Sequence, residues 1–317
     1  MFKIGIIEKI HEDGIKLLEK HPDFEFEIIE NVSKENLIKI LPKFDGITLQ
    51  VVKLDKEILK NCKKLKVISR HGVGIDNVDF NYLKEKKISL LITATANAVA
   101  VAEHVMYMML SLSKGIISYD TIVRSGDFKK KANDVHTYEL FNKEILIAGF
   151  GRIGKKLIKR CMGFDMKIKV FDPFIDKETI KSFGAVKVDN LETAISTADF
   201  ISIHMPLNKE TKNLINLKIL KKMKKNTIIV NTARGGIINE KDLDQALNEK
   251  IIFAAGLDVF QKEPPDFDNP LLKNKRVLLS PHSATFTKEC KSRMSLETVQ
   301  NIIDFFKNKT KESNLIK

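Results

Sequence analysis

Short β-rich runs alternate with helix-length amphipathic runs almost from one end of the chain to the other. "FKIGII" is followed by "HEDGIKLLEK", "FEFEII" by "SKENLIKIL", "DGITL" by "DKEILKNC", and "LKVIS" by "NVDFNYLKEK" before "ISLLI". This βαβ rhythm restricts the fold to parallel sheets covered on both faces. From Val99 to about Arg124 the pattern becomes one long helix, "VAVAEHVMYMMLSLSKGIISYDTIVR". Its apolar positions run nearly all the way round, which predicts burial in a core or an interface. A basic, irregular stretch follows, "SGDFKKKANDVHTYEL". At Glu144 a second βα series begins, with strands predicted at "EILIA", "IKVF", "DFISI", "NTIIVN", "FAAGLDV" and "RVLLS". A final helix, "TKECKSRMSLETVQNIIDFFKN", closes the chain. The 317 residues are enough for about two domains. The expected architecture is α/β: two doubly wound parallel-sheet domains with a cleft between them, the long helix and the last helix making the crossings.

The most informative motif is "ILIAGFGRIGKKLIKR", in which Gly149, Gly151 and Gly154 form G-x-G-x-x-G between an apolar strand and an amphipathic helix. The first glycine permits a tight turn, the second lets the backbone approach a pyrophosphate, and the third lets helix and strand pack closely. The start of the helix then offers N–H groups and partial positive charge to the phosphates. Asp172 ends the next strand, "KIKVFDPF", about 20 residues further on, where a carboxylate binds the two ribose hydroxyls of a dinucleotide. Pro173 and Phe174 follow it rather than an arginine, so the expected cofactor is NAD, not NADP. Both domains are therefore read as Rossmann-like.

Ligands of open α/β sheets bind outside the carboxyl ends of the strands. Three strand ends of the second series are expected to carry charged candidates. "NTIIVNTARGG" places Arg234 after a strand, "FAAGLDVFQKEPP" places Asp258 at a strand end with Glu263 before two prolines, and "RVLLSPHSATFT" places His282 likewise. An arginine, a glutamate and a histidine beside a dinucleotide loop suit one chemistry. The guanidinium binds a carboxylate bidentately. The imidazole exchanges a proton with a hydroxyl or keto oxygen. The glutamate holds the imidazole in one tautomer and favours its protonated form.

Composition narrows the partners. With 54 Lys and Arg against 41 Asp and Glu, the net charge is +13. The lysines are spread over most surface-helix candidates, as in "LKEKK" and "LKKMKK", without interleaved aromatic residues, so no nucleic-acid partner is expected. Cys62, Cys161 and Cys290 are far apart and odd in number, which indicates neither a disulfide framework nor a zinc site, and no metal is expected. The N-terminus reads as a strand rather than a signal peptide, and "ISLLITATANAVAVAEH" is too interrupted by Ser, Thr and Asn to span a bilayer. No membrane partner and a cytoplasmic location are expected.

The motifs "RHGVGIDNVD", "ANAVAVAEH", "GFGRIG", "VFDPF", "HMPL", "NTARGGIIN", "GLDVF", "EPP" and "SPHSA" follow in an order that resembles the D-isomer-specific 2-hydroxyacid dehydrogenase family, most closely its phosphoglycerate dehydrogenase branch. The resemblance covers nearly the whole chain. It implies a flavodoxin-like substrate domain over residues 1–97 plus 286–317 and an inserted NAD-binding domain over 98–285. It implies an oxidoreductase moving a hydride between NAD(H) and C2 of a small anionic D-2-hydroxy acid. Arg234 would bind the substrate carboxylate and polarise its carbonyl, His282 would be the acid/base, and Glu263 its partner. The turn at Val73 and Gly74 would also receive the carboxylate. Apart from the resemblance, Arg70, His71 and Lys53 are candidate cationic contacts in place of the arginine missing at Leu49. Arg152 and Ile153 would meet the pyrophosphate through their backbone, and Asp258 would hold the nicotinamide amide. Thr232, His204 and Met205 would line the cofactor cleft, with His282 at its end. The long helix and the "FKKKANDVHTYEL" arm resemble the family's dimer contact, so a homodimer is expected.

Two departures bear on the substrate. The chain ends about where the family's catalytic core ends, so no serine feedback is expected. Ser283-Ala284-Thr285 replaces a small-Gly-Ala pattern, and Leu49 stands where phosphoglycerate-type members tend to carry an arginine. Glyoxylate or hydroxypyruvate reduction is therefore the alternative reading. A non-catalytic NAD-sensing protein like the C-terminal-binding corepressors is the alternative of another class.

Overall fold

A computed structural model describes residues 1–128 and 135–316. The chain divides into two compact units, Met1–Asn97 with Thr285–Lys317, and Ala98–Ala284.

In the first unit the strands β1 (Phe2–Ile7), β2 (Phe24–Ile29), β3 (Gly46–Leu49), β4 (Val67–Arg70) and β5 (Ser89–Ile92) form one parallel sheet in the order β2-β1-β3-β4-β5. That is the flavodoxin-like order. Between them lie α1 (Glu12–Glu19), α2 (Lys34–Ile40), α3 (Lys56–Leu59) and α4 (Phe80–Glu85). His11, Ser33, Asp55 and Asp79 each accept an N–H at the start of the following helix, so the loops themselves supply the caps.

The closing helix, named α12 (Lys288–Phe306) from its place in the chain, packs on α1 and on the sheet. Gly14 makes that approach possible, because a Cβ there would sit 2.1 Å from Ser295 Oγ. Buried Asn301 ties helix to sheet: its amide donates to the Ile92 carbonyl at 3.0 Å, and its oxygen accepts from Asn314 at 2.8 Å.

The second unit contains α5 (Ala98–Ser113), α6 (Ile116–Arg124) and seven parallel strands. These are β6 (Glu144–Ala148), β7 (Lys167–Phe171), β8 (Val186–Val188), β9 (Phe200–Ile203), β10 (Ile228–Asn231), β11 (Ala254–Leu257) and β12 (Val277–Leu279). Helices α7 (Arg152–Met162), α8 (Lys177–Ser182), α9 (Leu191–Thr197), α10 (Leu217–Leu220) and α11 (Glu240–Asn248) connect them. The order is β12-β11-β10-β9-β6-β7-β8, so the direction of winding reverses between β6 and β9. Two layers cover the sheet. Ile145 and Ile147 face the cluster holding Val105, Met109 and Leu157, while Leu146 and Ala148 face the one holding Ile195, Leu243 and Leu247. In α7 the buried residues are Gly154, Leu157, Ile158 and Cys161, one face at helical spacing, with the lysines turned out.

Two expectations are corrected. The helix predicted over 99–124 is two helices, because Gly115 adopts a left-handed conformation (φ 62°) between α5 and α6. Burial also splits there: α5 is largely buried, whereas no residue of α6 is. The second sheet has seven strands, not six, since the short "VKV" of β8 is half-exposed and carries no apolar run to announce it. Of the basic arm expected to join the dimer contact, residues 129–134 lie outside the described residues.

Replacing Asn301 by Ala leaves the Ile92 carbonyl and the Asn314 amide short of a buried partner. The expected cost is about 1–3 kcal/mol, seen as a lower denaturant midpoint, and a variant as stable as the parent would contradict the assignment.

Candidate active site

The glycine loop lies at the point where the winding reverses. Gly149 has φ 109°, and a Cβ there would meet the His204 carbonyl oxygen at 2.7 Å. The loop therefore lies directly against the end of β9. At Gly154 a Cβ would lie 2.5 Å from the Gly149 carbonyl, so α7 rests on the loop it follows. At Gly151 a Cβ would meet nothing within 4 Å, and no side chain caps α7 there. This leaves an open cradle at the start of a helix whose first residues are Arg152 and Ile153. Asp172 stands beside it: one carboxylate oxygen accepts the Phe150 N–H at 2.8 Å and the other the Phe174 N–H at 2.9 Å.

The next two strand ends carry polar atoms without partners. His204 shares a 2.8 Å hydrogen bond with Ser202 through Nε2, and burial pushes its pKa down to about 4, so it is neutral. Its buried Nδ1 and the buried Thr232 Oγ1 have no hydrogen-bond partner among the described residues. Met205 is buried beside His204. Unmatched buried polar atoms at adjacent strand ends next to an open cradle fit a polar ligand lying across them.

Arg234, Glu263 and His282 all lie in this unit. Asn231, buried at the end of β10, accepts the Ala233 N–H and donates to the Arg234 carbonyl, which shapes the turn. Gly235 then allows contact with the loop after β11, since a Cβ there would lie 1.8 Å from the Phe260 carbonyl oxygen. In that loop Glu263 accepts the Phe260 N–H at 3.0 Å with Oε1 and contacts His282 Nδ1 at 2.8 Å with Oε2. Nδ1 is thus engaged, and Nε2 is the atom left for proton exchange.

The electrostatics agree with that division. The hydrogen bond to Glu263 raises the His282 pKa above 6.5; burial opposes it, the charges of Glu263 and Asp258 add to it, and Arg234 subtracts. Burial pushes Glu263 up, but the hydrogen bonds from His282 and the Phe260 N–H, with the charges of His282 and Arg234, hold it below 4.5.

Asp258 has a place that sequence reasoning did not find. It is fully buried, and the segment after β12 folds around it. One oxygen accepts the Ser283 N–H at 2.8 Å and the Ser280 hydroxyl; the other accepts the Ala284 N–H at 3.0 Å. The His282 N–H donates to the Asp258 carbonyl at 2.8 Å. His282 itself has φ 52°, a left-handed conformation rare outside glycine. The small residues after the histidine are those whose N–H groups wrap this carboxylate. Ser280 also lies 2.9 Å from His104 Nε2 on α5. No short-range signal links residues 104, 258 and 280.

In the first unit, Arg70 donates to Asn77 at 3.1 Å and to the His71 carbonyl at 2.9 Å. Its guanidinium lies under Gly72 (φ 149°), where a Cβ would come within 3.0 Å of Nη1, and Val73 and Gly74 follow in the same turn. His71 is not the cation that was expected. Burial and the Arg70 charge push its pKa down to about 4. Lys53 is exposed, and Leu49 is buried in the core.

Residues 106–284 match the family model described as D-isomer specific 2-hydroxyacid dehydrogenase, NAD binding domain. The chain is 38% identical over 314 residues to a glyoxylate reductase of Thermococcus litoralis, covering 96% of this chain and 94% of that one. It is 39% identical over 290 residues to a D-3-phosphoglycerate dehydrogenase of Methanocaldococcus jannaschii, covering 91% of this chain and 54% of that one. The chain thus spans about half the length of such phosphoglycerate dehydrogenases. Among solved structures, an NAD-dependent formate dehydrogenase from Staphylococcus aureus in complex with NAD superposes with a TM-score of 0.85 at 27% identity, covering 99% of each chain.

Both members of the His282–Glu263 pair are favoured in their charged forms. The contribution from the raised His282 pKa is complete below 6.5 and is lost as pH rises through the raised value. The contribution from the lowered Glu263 pKa is complete above 4.5 and is lost as pH falls through the lowered value. Glu263→Gln should make His282 titrate at lower pH than in the parent. An NMR titration of the imidazole checks this, and an unmoved midpoint would refute the pairing.

Proposed function

Because this chain belongs to the D-isomer-specific 2-hydroxyacid dehydrogenase family, we propose that it moves a hydride between NAD(H) and C2 of a small anionic D-2-hydroxy acid or its 2-keto counterpart. The observation that carries this reading is the His282–Glu263 contact between the loops after β12 and β11, with Arg234 on the loop after β10. The relatives named as dehydrogenases and reductases support an enzyme over an NAD-sensing binding protein, and turnover of a 2-keto acid separates the two.

Residues Ala98–Ala284 are the proposed NAD-binding domain, and Met1–Asn97 with Thr285–Lys317 the proposed substrate domain. The residues present fit the dinucleotide. Gly149, Gly151 and Gly154 leave a cradle for the pyrophosphate, with the Arg152 and Ile153 backbone at the helix start. Asp172 would take the ribose hydroxyls, and its charge would repel a 2′-phosphate. His204, Met205 and Thr232 would line the way to the nicotinamide. Asp258 would add a contact to the amide through lone pairs not already used by its loop. When bound, NAD(H) would supply the acceptor or donor of the hydride.

The protein groups do the rest. Arg234 binds the substrate carboxylate with its planar fork and withdraws electron density from the adjacent carbonyl. In oxidation His282 Nε2 takes the proton of the C2 hydroxyl; in reduction it returns that proton to the carbonyl oxygen. Glu263 holds Nδ1–H and stabilises the imidazolium. In the substrate domain, the turn at Val73 and Gly74 is the proposed anion-binding element, with the Arg70 charge behind Gly72.

Phosphoglycerate is one substrate of this class. A second reading, glyoxylate or hydroxypyruvate reduction, is favoured by the relatives matched along nearly their whole length. They include the Thermococcus litoralis protein and a hydroxypyruvate reductase of Thermotoga maritima, 35% identical and covered over 97% of its length. Further, α6 has no buried residue and exposes Ile116, Ile117 and Val123, with Tyr107, Phe128 and Phe141 also exposed in the same unit. Such an apolar surface supports a homodimer. The three free, buried cysteines suit a reducing cytoplasm.

Among 3-phosphoglycerate, glyoxylate, hydroxypyruvate, pyruvate and sulfolactate, at least one should turn over, with NAD(H) preferred over NADP(H). His282→Asn should lower kcat by about 10²- to 10⁴-fold while NADH still binds; undiminished turnover would overturn the mechanism. Ile117→Glu should shift the mass measured by light scattering from dimer to monomer, and a parent that is itself monomeric would refute the dimer.

A further inference from the structure

His104 lies within "ANAVAVAEH", a motif that the hydride-transfer chemistry leaves unexplained. It sits on α5, and its side chain is only 16% exposed. Its Nε2 is 2.9 Å from Ser280 Oγ and 3.6 Å from Asp258 Oδ1, and its ring lies beside that of Tyr107 at 5.4 Å. Ser280 Oγ in turn contacts Asp258 Oδ1. A carboxylate oxygen only accepts, so the single Ser280 proton is committed to Asp258. Ser280 Oγ must therefore accept from His104, which makes Nε2 the protonated nitrogen.

Asp258 is the anion around which residues 280–284 fold. Its carboxylate and carbonyl take the N–H groups of His282, Ser283 and Ala284. Those three bonds hold the left-handed turn at His282 (φ 52°), and the turn aims the imidazole at Glu263. A left-handed histidine is strained and persists only where surrounding bonds over-determine it.

We propose that His104 is a positioning residue for His282, acting through Ser280 and Asp258. This role requires no contact with substrate or cofactor. Its Nε2–H fixes the Ser280 hydroxyl, which fixes the Asp258 carboxylate, which fixes the backbone that carries the acid/base. This rests on the reading of His282 as the proton-exchanging group, but the geometry can be tested without turnover.

Four variants decide it. Glutamine can place an amide N–H where Nε2–H stands, and leucine cannot. His104→Leu should lower kcat on the order of 10- to 100-fold, the scale of a small misplacement of a catalytic group. NADH affinity, read by fluorescence titration, should hold. His104→Gln should keep most of the lost rate. Ser280→Ala should resemble His104→Leu, and the double variant should be no worse than either single one, as expected of links in one chain.

Two NMR readouts need no substrate. Long-range ¹H–¹⁵N correlations should show His104 as the Nε2–H tautomer. His104→Leu should also lower the pH at which His282 titrates, because its contact with Glu263 loosens. A Nδ1–H tautomer, a glutamine variant as impaired as leucine, additive losses in the double variant, or an unmoved His282 titration would each overturn the proposal. If the parent turns over none of the 2-keto acids, the functional reading fails, while the tautomer and the His282 titration still decide the positioning role.

Discussion

Parallel pairing puts the carboxyl end of every strand on the same edge of a sheet, and the candidate site follows from that constraint. In the second unit Gly149, Asp172, His204, Thr232, Asp258 and Ser280 each come directly after a strand. Gly149 and Ser280, far apart in the chain, thus emerge on the same edge of one sheet. The reversal of winding between β6 and β9 then leaves a crevice where neither loop is covered by a crossing helix. Two close approaches make it usable. Gly149 lies against the carbonyl of His204, and Gly235 against that of Phe260. A side chain at either place would push apart loops that must stay within a few ångströms of each other.

Within that frame, one buried carboxylate organises the loop that carries His282. A buried charge is tolerated when both its oxygens have donors, and Asp258 meets this with two backbone N–H groups and a hydroxyl. The backbone is drawn inward and the His282 side chain is turned out toward Glu263. The same arrangement explains the small residues at 283 and 284. Ala284 is buried, and a larger side chain would compete with the packing that brings its N–H to Asp258.

Much of this was legible in the chain. Strand and helix rhythm predicted two parallel α/β units. The glycine spacing located the tight loop at the reversal of winding, and strand-end positions singled out Arg234, Glu263 and His282 as candidates. The misses share a cause. β8 is half-exposed and short, so its apolar signal is weak. The break at Gly115 is a backbone event inside an apolar run, where periodicity continues across the interruption. His71 was read as a cation from its residue type, but its charge state is set by burial and by Arg70. The His104–Ser280–Asp258 chain has no spacing signature, because its members come from three separate elements.

What the sequence by itself determined was local: which segments are strands, where glycine is needed for close approach, and which chemistries are available at the strand ends. These depend on residue type and near neighbours, so a linear reading finds them. What only the tertiary structure decided was the state of each group. His282 is held left-handed and favoured as the imidazolium, whereas His204 and His71 are kept neutral. Each of these results from burial and from charges brought near by the fold, and such fields depend on distance in space rather than on position in the chain.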